Sequence, residues 1–198
     1  MTCIVGITDG GNVWMGGDSF AGNDMHHQKI KEPKVFNVFV DIAGQEADET
    51  MVIGGCGSFR MLQLLKYALI VPQYDPTIDL TYWFVEEYGE AVRKLFKDRG
   101  LTQLHDETEE AFYGTFLIGF CGGLYTLQED FAVMGFAEME HATGAGEEYA
   151  LGSLYTSRSG NRTPKTRITM ALESATEFSP MVIPPYYYVS TLDRKKEN

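Results

Sequence analysis

The chain opens with two short apolar, β-prone stretches, Cys3 to Thr8 and Asn12 to Gly17, joined by Asp9-Gly10-Gly11. Consecutive glycines after an aspartate supply the positive backbone φ that a tight hairpin demands. A hairpin at the very start commits the first residues to a sheet, and the rest of the chain must pack onto it. Further strands are expected at Lys34 to Asp41 and Met51 to Gly54.

Helical spacing follows. Ser58 can cap a helix through Leu62, Leu65 and Leu69, ended by Pro72 and Pro76. Asp79 can cap a second, whose apolar positions Leu80, Phe84, Tyr88, Val92 and Leu95 recur at helical intervals. Strand signals return at Phe112 to Phe120, Leu124 to Leu127 and Phe131 to Glu138. Two more helices are predicted, Glu147 to Ser157 and one opened by Thr163-Pro164. Val182 to Ser190 closes as a strand. Grouped strands alternating with grouped helices predict an α+β fold. Two helices on each side of a strand sandwich would give four layers.

With 198 residues, 44% of them hydrophobic, and no linker or repeat, the chain reads as a single domain over 1–198. A net charge of −12 speaks against nucleic acid or anionic lipid as a partner. The basic run Arg194-Lys195-Lys196 reads as a solvated tail. Cys3, Cys56 and Cys121 are odd in number and widely spaced, which suits neither a disulfide framework nor a zinc site. A reducing cytosol fits them. No leader with a basic start and apolar core is visible, and no apolar stretch is long enough to span a bilayer, so a cytoplasmic location is expected. His26-His27 lacks partners at ligand spacing, and neither metal nor cofactor is expected.

Several residues carry potential chemistry. Removal of Met1 would leave Thr2 with a hydroxyl and a free α-amine, a nucleophile and a base on one residue. Asp18, in Gly16-Gly17-Asp18-Ser19, has an ordinary reading as a turn residue, and Lys34 as a solvated lysine at a strand start. Brought together near Thr2, they would do more. A lysine charge lowers the pKa of a neighbouring amine, and a carboxylate holds that lysine in place. Gly54-Gly55-Cys56-Gly57-Ser58, between a strand and a helix, is either a tight turn or a loop whose N–H groups receive an oxyanion.

In order and spacing these elements resemble one family. Thr2-Cys3-Ile4-Val5-Gly6 followed by Val13-Trp14-Met15-Gly16-Gly17-Asp18-Ser19 is similar to the start of proteasome β-subunits and of the HslV peptidase. Lys34-Val35 matches the family's lysine, Cys56-Gly57 its Ala-Gly, and Gly144-Ala145-Gly146-Glu147-Glu148-Tyr149-Ala150 its Gly-Ser-Gly-x-x-Tyr-Ala helix opening. The resemblance runs from Thr2 to about Thr191.

It implies the four-layer αββα sandwich of N-terminal nucleophile hydrolases. By the same resemblance Thr2 is the nucleophile, Asp18 and Lys34 the charge pair beside it, and Gly57 the oxyanion donor. Glu177 stands near the family's late aspartate, with Ser179 next to it. Gly55, Glu32 and Phe36 border the pocket for the residue before the cleaved bond, and Gly55 suggests a roomy one. Polypeptide substrates, a homo-oligomeric ring and an ATP-dependent unfoldase are the implied partners. Ala145 departs from the pattern, because the family has a serine there. A small-molecule amide hydrolase of the same superfamily and an inactive scaffolding ring subunit are the alternative readings.

Overall fold

Gly10 and Gly11 take φ of 57° and 80°, and around them β1 (Cys3–Asp9) and β2 (Asn12–Gly17) pair with Asp9 opposite Asn12. This computed structural model describes residues 2–22, 26–105 and 109–193. The strands that follow are β3 (Phe20–Gly22), β4 (His27–Lys29), β5 (Val35–Val40) and β6 (Glu49–Gly57). Helices α1 (Phe59–Tyr67) and α2 (Leu80–Trp83) come next, then a π-helical stretch (Phe84–Gly89) and α3 (Glu90–Asp98). The second half contains β7 (Gln103–His105), β8 (Glu109–Ala111), β9 (Gly114–Phe120), β10 (Gly123–Leu127), β11 (Val133–Gly135) and β12 (Glu140–Gly144). Helices α4 (Glu147–Thr156) and α5 (Pro164–Phe178) and strand β13 (Tyr187–Ser190) complete it. The mixture of helix and sheet is the expected α+β class.

One sheet has the order β12-β1-β2-β13 and the other β11-β10-β9-β6-β5, with every pairing antiparallel. Alternate residues of β1 serve two cores, as a strand's two-residue period requires. Cys3, Val5 and Ile7 pack with Leu154, Ile168 and Leu172 of α4 and α5. Ile4 packs instead with Val35, Val52 and Leu117 of the second sheet. The other face of that second sheet, including Phe36, Ile53 and Phe116, meets Leu65, Trp83 and Phe96 from the helices before β7.

Predicted caps are made: the Ser58 and Asp79 side chains accept from Met61 N and Tyr82 N, and Thr163 accepts from Thr166 N. The expected helix after Asp79 is continuous but carries the π-helical stretch. Phe84, Tyr88, Val92 and Phe96 are all fully buried. A strict four-residue spacing outruns a 3.6-residue period, and the wider π turn absorbs the excess. The strand expected at Phe131 to Glu138 shrinks to β11, and β12 was not anticipated. Its first residue, Glu140, is a buried carboxylate held by Arg158 and Arg167, so hydropathy alone hides this strand. His27 opens β4. No helix among the described residues is long and apolar enough to cross a membrane.

Candidate active site

The site forms where the first hairpin of one sheet meets the start of β5 in the other. Gly16 and Gly17 make the approach possible. A Cβ on Gly16 would lie 2.4 Å from Ile168 Cγ2, and one on Gly17 would lie 2.9 Å from Ile4 Cδ1. The chain then turns at Asp18, whose N–H donates to Cys3 O at 3.3 Å.

The Asp18 carboxylate is fully buried and saturated. Oδ1 accepts from Cys3 N at 3.0 Å and from Lys34 Nζ at 2.8 Å. Oδ2 accepts from Phe20 N at 2.8 Å and from Ile183 N at 3.4 Å. One side chain therefore pins the residue after Thr2, its own turn and the segment leading to β13. Lys34 sits just before β5, where its carbonyl accepts from Gly55 N at 3.2 Å. Its ammonium also donates to Thr2 Oγ1 at 2.8 Å. Thr2 and Lys34 are 3% and 2% exposed, so this contact is shielded from water. Burial pulls the Lys34 pKa below the ordinary lysine value against the opposing pull of Asp18. Burial, with the Asp18 charge, pushes the Cys3 thiol up, which leaves it a packing group.

The structure thus brings Thr2, Asp18 and Lys34 together. Gly57 ends β6 opposite Gly114 with φ of 100°. Gly55 is buried, and a Cβ there would lie 2.5 Å from Phe116 Cδ1 and 2.7 Å from Leu62 Cδ1. Those side chains occupy the space, so Gly55 opens no roomy pocket. Phe36 belongs to the same core. Glu32 lies outside, accepting from Tyr67 OH at 3.1 Å and facing Lys66 Nζ at 3.6 Å. Ser179 is buried at the end of α5 and caps locally, its hydroxyl accepting from Met181 N at 3.4 Å.

Glu177 is exposed on α5 and makes no hydrogen bond or ion pair to Thr2, Asp18 or Lys34 among the described residues. Ala175 faces the core, and two residues further on the helix has turned through more than half a circle. The acidic position that the resemblance implies on α5 therefore falls on the exposed face of the helix in this chain.

Two residues at the end of β12 lie beside the cluster: Gly144, which opens the Gly-Ala-Gly motif, and Thr143, which no motif singled out. Thr143, 5% exposed on β12, has its Oγ1 3.7 Å from Cys56 Sγ. Gly144 passes so close that a Cβ there would lie 2.3 Å from Thr2 O and 3.5 Å from Cys56 Cβ. The usable sequence signal was register: a strand pairing with β1 must set its residues beside Thr2.

Among the described residues no group of three or more His, Cys, Asp or Glu side chains could hold a metal. A cavity of about 500 Å³ lies elsewhere, at the far end of β1 around Asp9, Arg158, Arg162 and Arg167. Glu140 pairs with two of those arginines, so its charge is largely answered from within.

No family model and no curated protein matches the sequence. Solved structures match it in fold. The structure of Thiobacillus denitrificans BPH in complex with epoxomicin shares 18% identity, with 96% of this chain and 97% of that one covered and a TM-score of 0.72. Eukaryotic HslV from Trypanosoma brucei shares 13% over 96% and 98% of the two chains, with a TM-score of 0.62. The helical assembly of the Anbu complex from Pseudomonas aeruginosa shares 12% over 96% and 80%, with a TM-score of 0.61. Across nearly its whole length, the chain has the fold shared by these proteasome- and HslV-like structures.

Proposed function

We propose that this chain is a threonine-type peptidase, its nucleophile Thr2 exposed by removal of Met1, acting as one domain within a self-compartmentalised ring. One observation carries the reading: a buried ammonium stands 2.8 Å from both the Thr2 hydroxyl oxygen and the Asp18 carboxylate. Lys34 donates to Oγ1, so the hydroxyl proton is directed elsewhere, and the ammonium stabilises the oxygen as it becomes anionic. The same charge lowers the pKa of the freed amine, keeping it a base near neutral pH.

The steps follow. The Thr2 amine takes the hydroxyl proton, directly or through water, and Oγ1 bonds to the substrate carbonyl carbon. The carbonyl oxygen becomes an anion that accepts from Gly57 N–H. Strand alternation supports that role: Gly55 N is directed at Lys34 O, so Gly57, two residues on, is directed to the same side beyond the start of β5. The C–N bond breaks as the amine returns its proton to the leaving nitrogen. Water, deprotonated by the amine, then hydrolyses the ester on Thr2.

The three cores are compatible with the αββα sandwich of N-terminal nucleophile hydrolases. The epoxomicin complex of BPH favours a peptide substrate, and the Anbu assembly favours a homo-oligomer. An inactive ring subunit is the second reading, favoured by Ala145 and by the exposed Glu177. Intact-mass measurement and epoxomicin labelling separate the two. Loss of Met1, a covalent adduct on Thr2, and a fall of about four orders of magnitude in hydrolysis for Thr2→Ala are expected. Retained Met1 with no adduct would refute the enzyme.

A further inference from the structure

Once Met1 is gone, the α-amine of Thr2 needs an acceptor that orients it, leaving its lone pair toward the hydroxyl proton. Register shows what is available. Cys3 pairs with Gly144 and Ile4 with Thr143, so the next position outward sets Ala145 opposite Thr2. Ala145 offers no polar atom. Residues directly opposite in an antiparallel pair share a face, which puts Thr143 on the face of Thr2 as its diagonal neighbour. Diagonal neighbours lie about 7–8 Å apart, a separation that one hydroxyl and one water span.

The hydrogen bonds leave Thr143 oxygen available. The Cys56 thiol has one proton, and it donates to Thr115 O at 3.5 Å. The contact between Thr143 Oγ1 and Cys56 Sγ at 3.7 Å therefore runs with the hydroxyl as donor and the sulfur as acceptor. Among the described residues Thr143 Oγ1 has no other partner. A buried hydroxyl oxygen is left with its lone pairs free beside the site. Gly144 passes close to both Thr2 O and the Cys56 side chain, so this wall lies beside Thr2.

We propose that Thr143, backed by Cys56, is a positioning residue of the Thr2 site: its hydroxyl oxygen accepts a hydrogen bond from the freed amine, directly or through one water. This rests on the Thr2 reading above.

The test uses full-length protein lacking Met1. Thr143→Val should lower kcat about tenfold, the worth of one hydrogen bond to a charged group, with KM within about twofold. Losing an acceptor disfavours the protonated amine, so the acidic limb of the pH–rate profile should move to lower pH by about half a unit. Thr143→Ser should restore both. Cys56→Ala frees the hydroxyl proton and should shift the same limb in the same direction, which supplies the answer if Thr143→Val fails to fold. Wild-type kcat and an unmoved acidic limb in these variants, with hydrolysis still abolished by Thr2→Ala, would overturn Thr143 alone. Hydrolysis that survives Thr2→Ala would instead remove the nucleophile reading and this inference with it.

Discussion

Replacing Asp18 with asparagine tests the charge pair directly. The carboxylate accepts from three backbone N–H groups and from Lys34, and both side chains are shielded from solvent. Breaking a buried pair by removing one partner costs about 3–5 kcal/mol, because the surviving charge has no counterion. Lys34 can escape that penalty by losing its proton, which sets a ceiling. Each pH unit is worth about 1.4 kcal/mol, so discharging a lysine of ordinary pKa costs about 5 kcal/mol at pH 7 and about 2 kcal/mol at pH 9.

The sign follows from linkage. In Asp18→Asn the folded state holds a neutral Lys34 while the unfolded chain keeps the proton up to the ordinary value of 10.5. The variant therefore gains stability as pH rises toward that value. The wild-type Lys34, lowered less, gains over a narrower and higher window. Urea unfolding at pH 7, 8 and 9, at one protein concentration, should give a destabilisation of about 3–5 kcal/mol at pH 7 that shrinks by up to about 1.4 kcal/mol per pH unit. A remainder of about 1–3 kcal/mol should persist, because the amide NH₂ faces backbone donors the carboxylate had satisfied. A loss below about 1 kcal/mol that does not vary with pH would refute a charged, buried pair.

Two further predictions concern packing around the site and core. Gly144→Ala sets a Cβ 2.3 Å from Thr2 O at a φ of 103°; it should cost about 2–4 kcal/mol in denaturant unfolding, and hydrolysis measured in the folded fraction should fall with it. Among the described residues, Tyr88 OH is buried without a hydrogen-bond partner in the aromatic core. Tyr88→Phe should therefore be neutral or stabilising by up to about 2 kcal/mol, read as an equal or higher melting temperature.

What could be read from the letters followed physical scale. The first hairpin, the Ser58, Asp79 and Thr163 caps and the α4 and α5 helices rest on local chemistry, and each stands close to its expected place. The cluster of Thr2, Asp18 and Lys34 is non-local and became legible only through family spacing. What hydropathy and spacing hid depends on tertiary partners. Strand β12 looks too polar until Arg158 and Arg167 neutralise Glu140. Glu177 and Gly55 were read from position along the chain, whereas helix rotation and the side chains of Phe116 and Leu62 decide where they point and what space they leave. Thr143 was invisible because its significance lies in its register with β1.

The energetics of the pair also bear on why it exists. Asp18 already has three backbone donors, enough to hold the turn after β2 and the start of β1. Adding Lys34 brings a second buried charge, whose pKa burial pulls down against the opposing pull of Asp18. Well-packed apolar residues would serve stability at least as well. The group that gains from the ammonium is the Thr2 hydroxyl, which receives its hydrogen bond. Asp18 also fixes Cys3 N, so the carboxylate that pairs with the lysine sets the backbone position of the residue after Thr2. A buried charge aimed at the Thr2 hydroxyl, and tied through Asp18 to the backbone beside it, is what the proposed chemistry would use and what folding stability does not require.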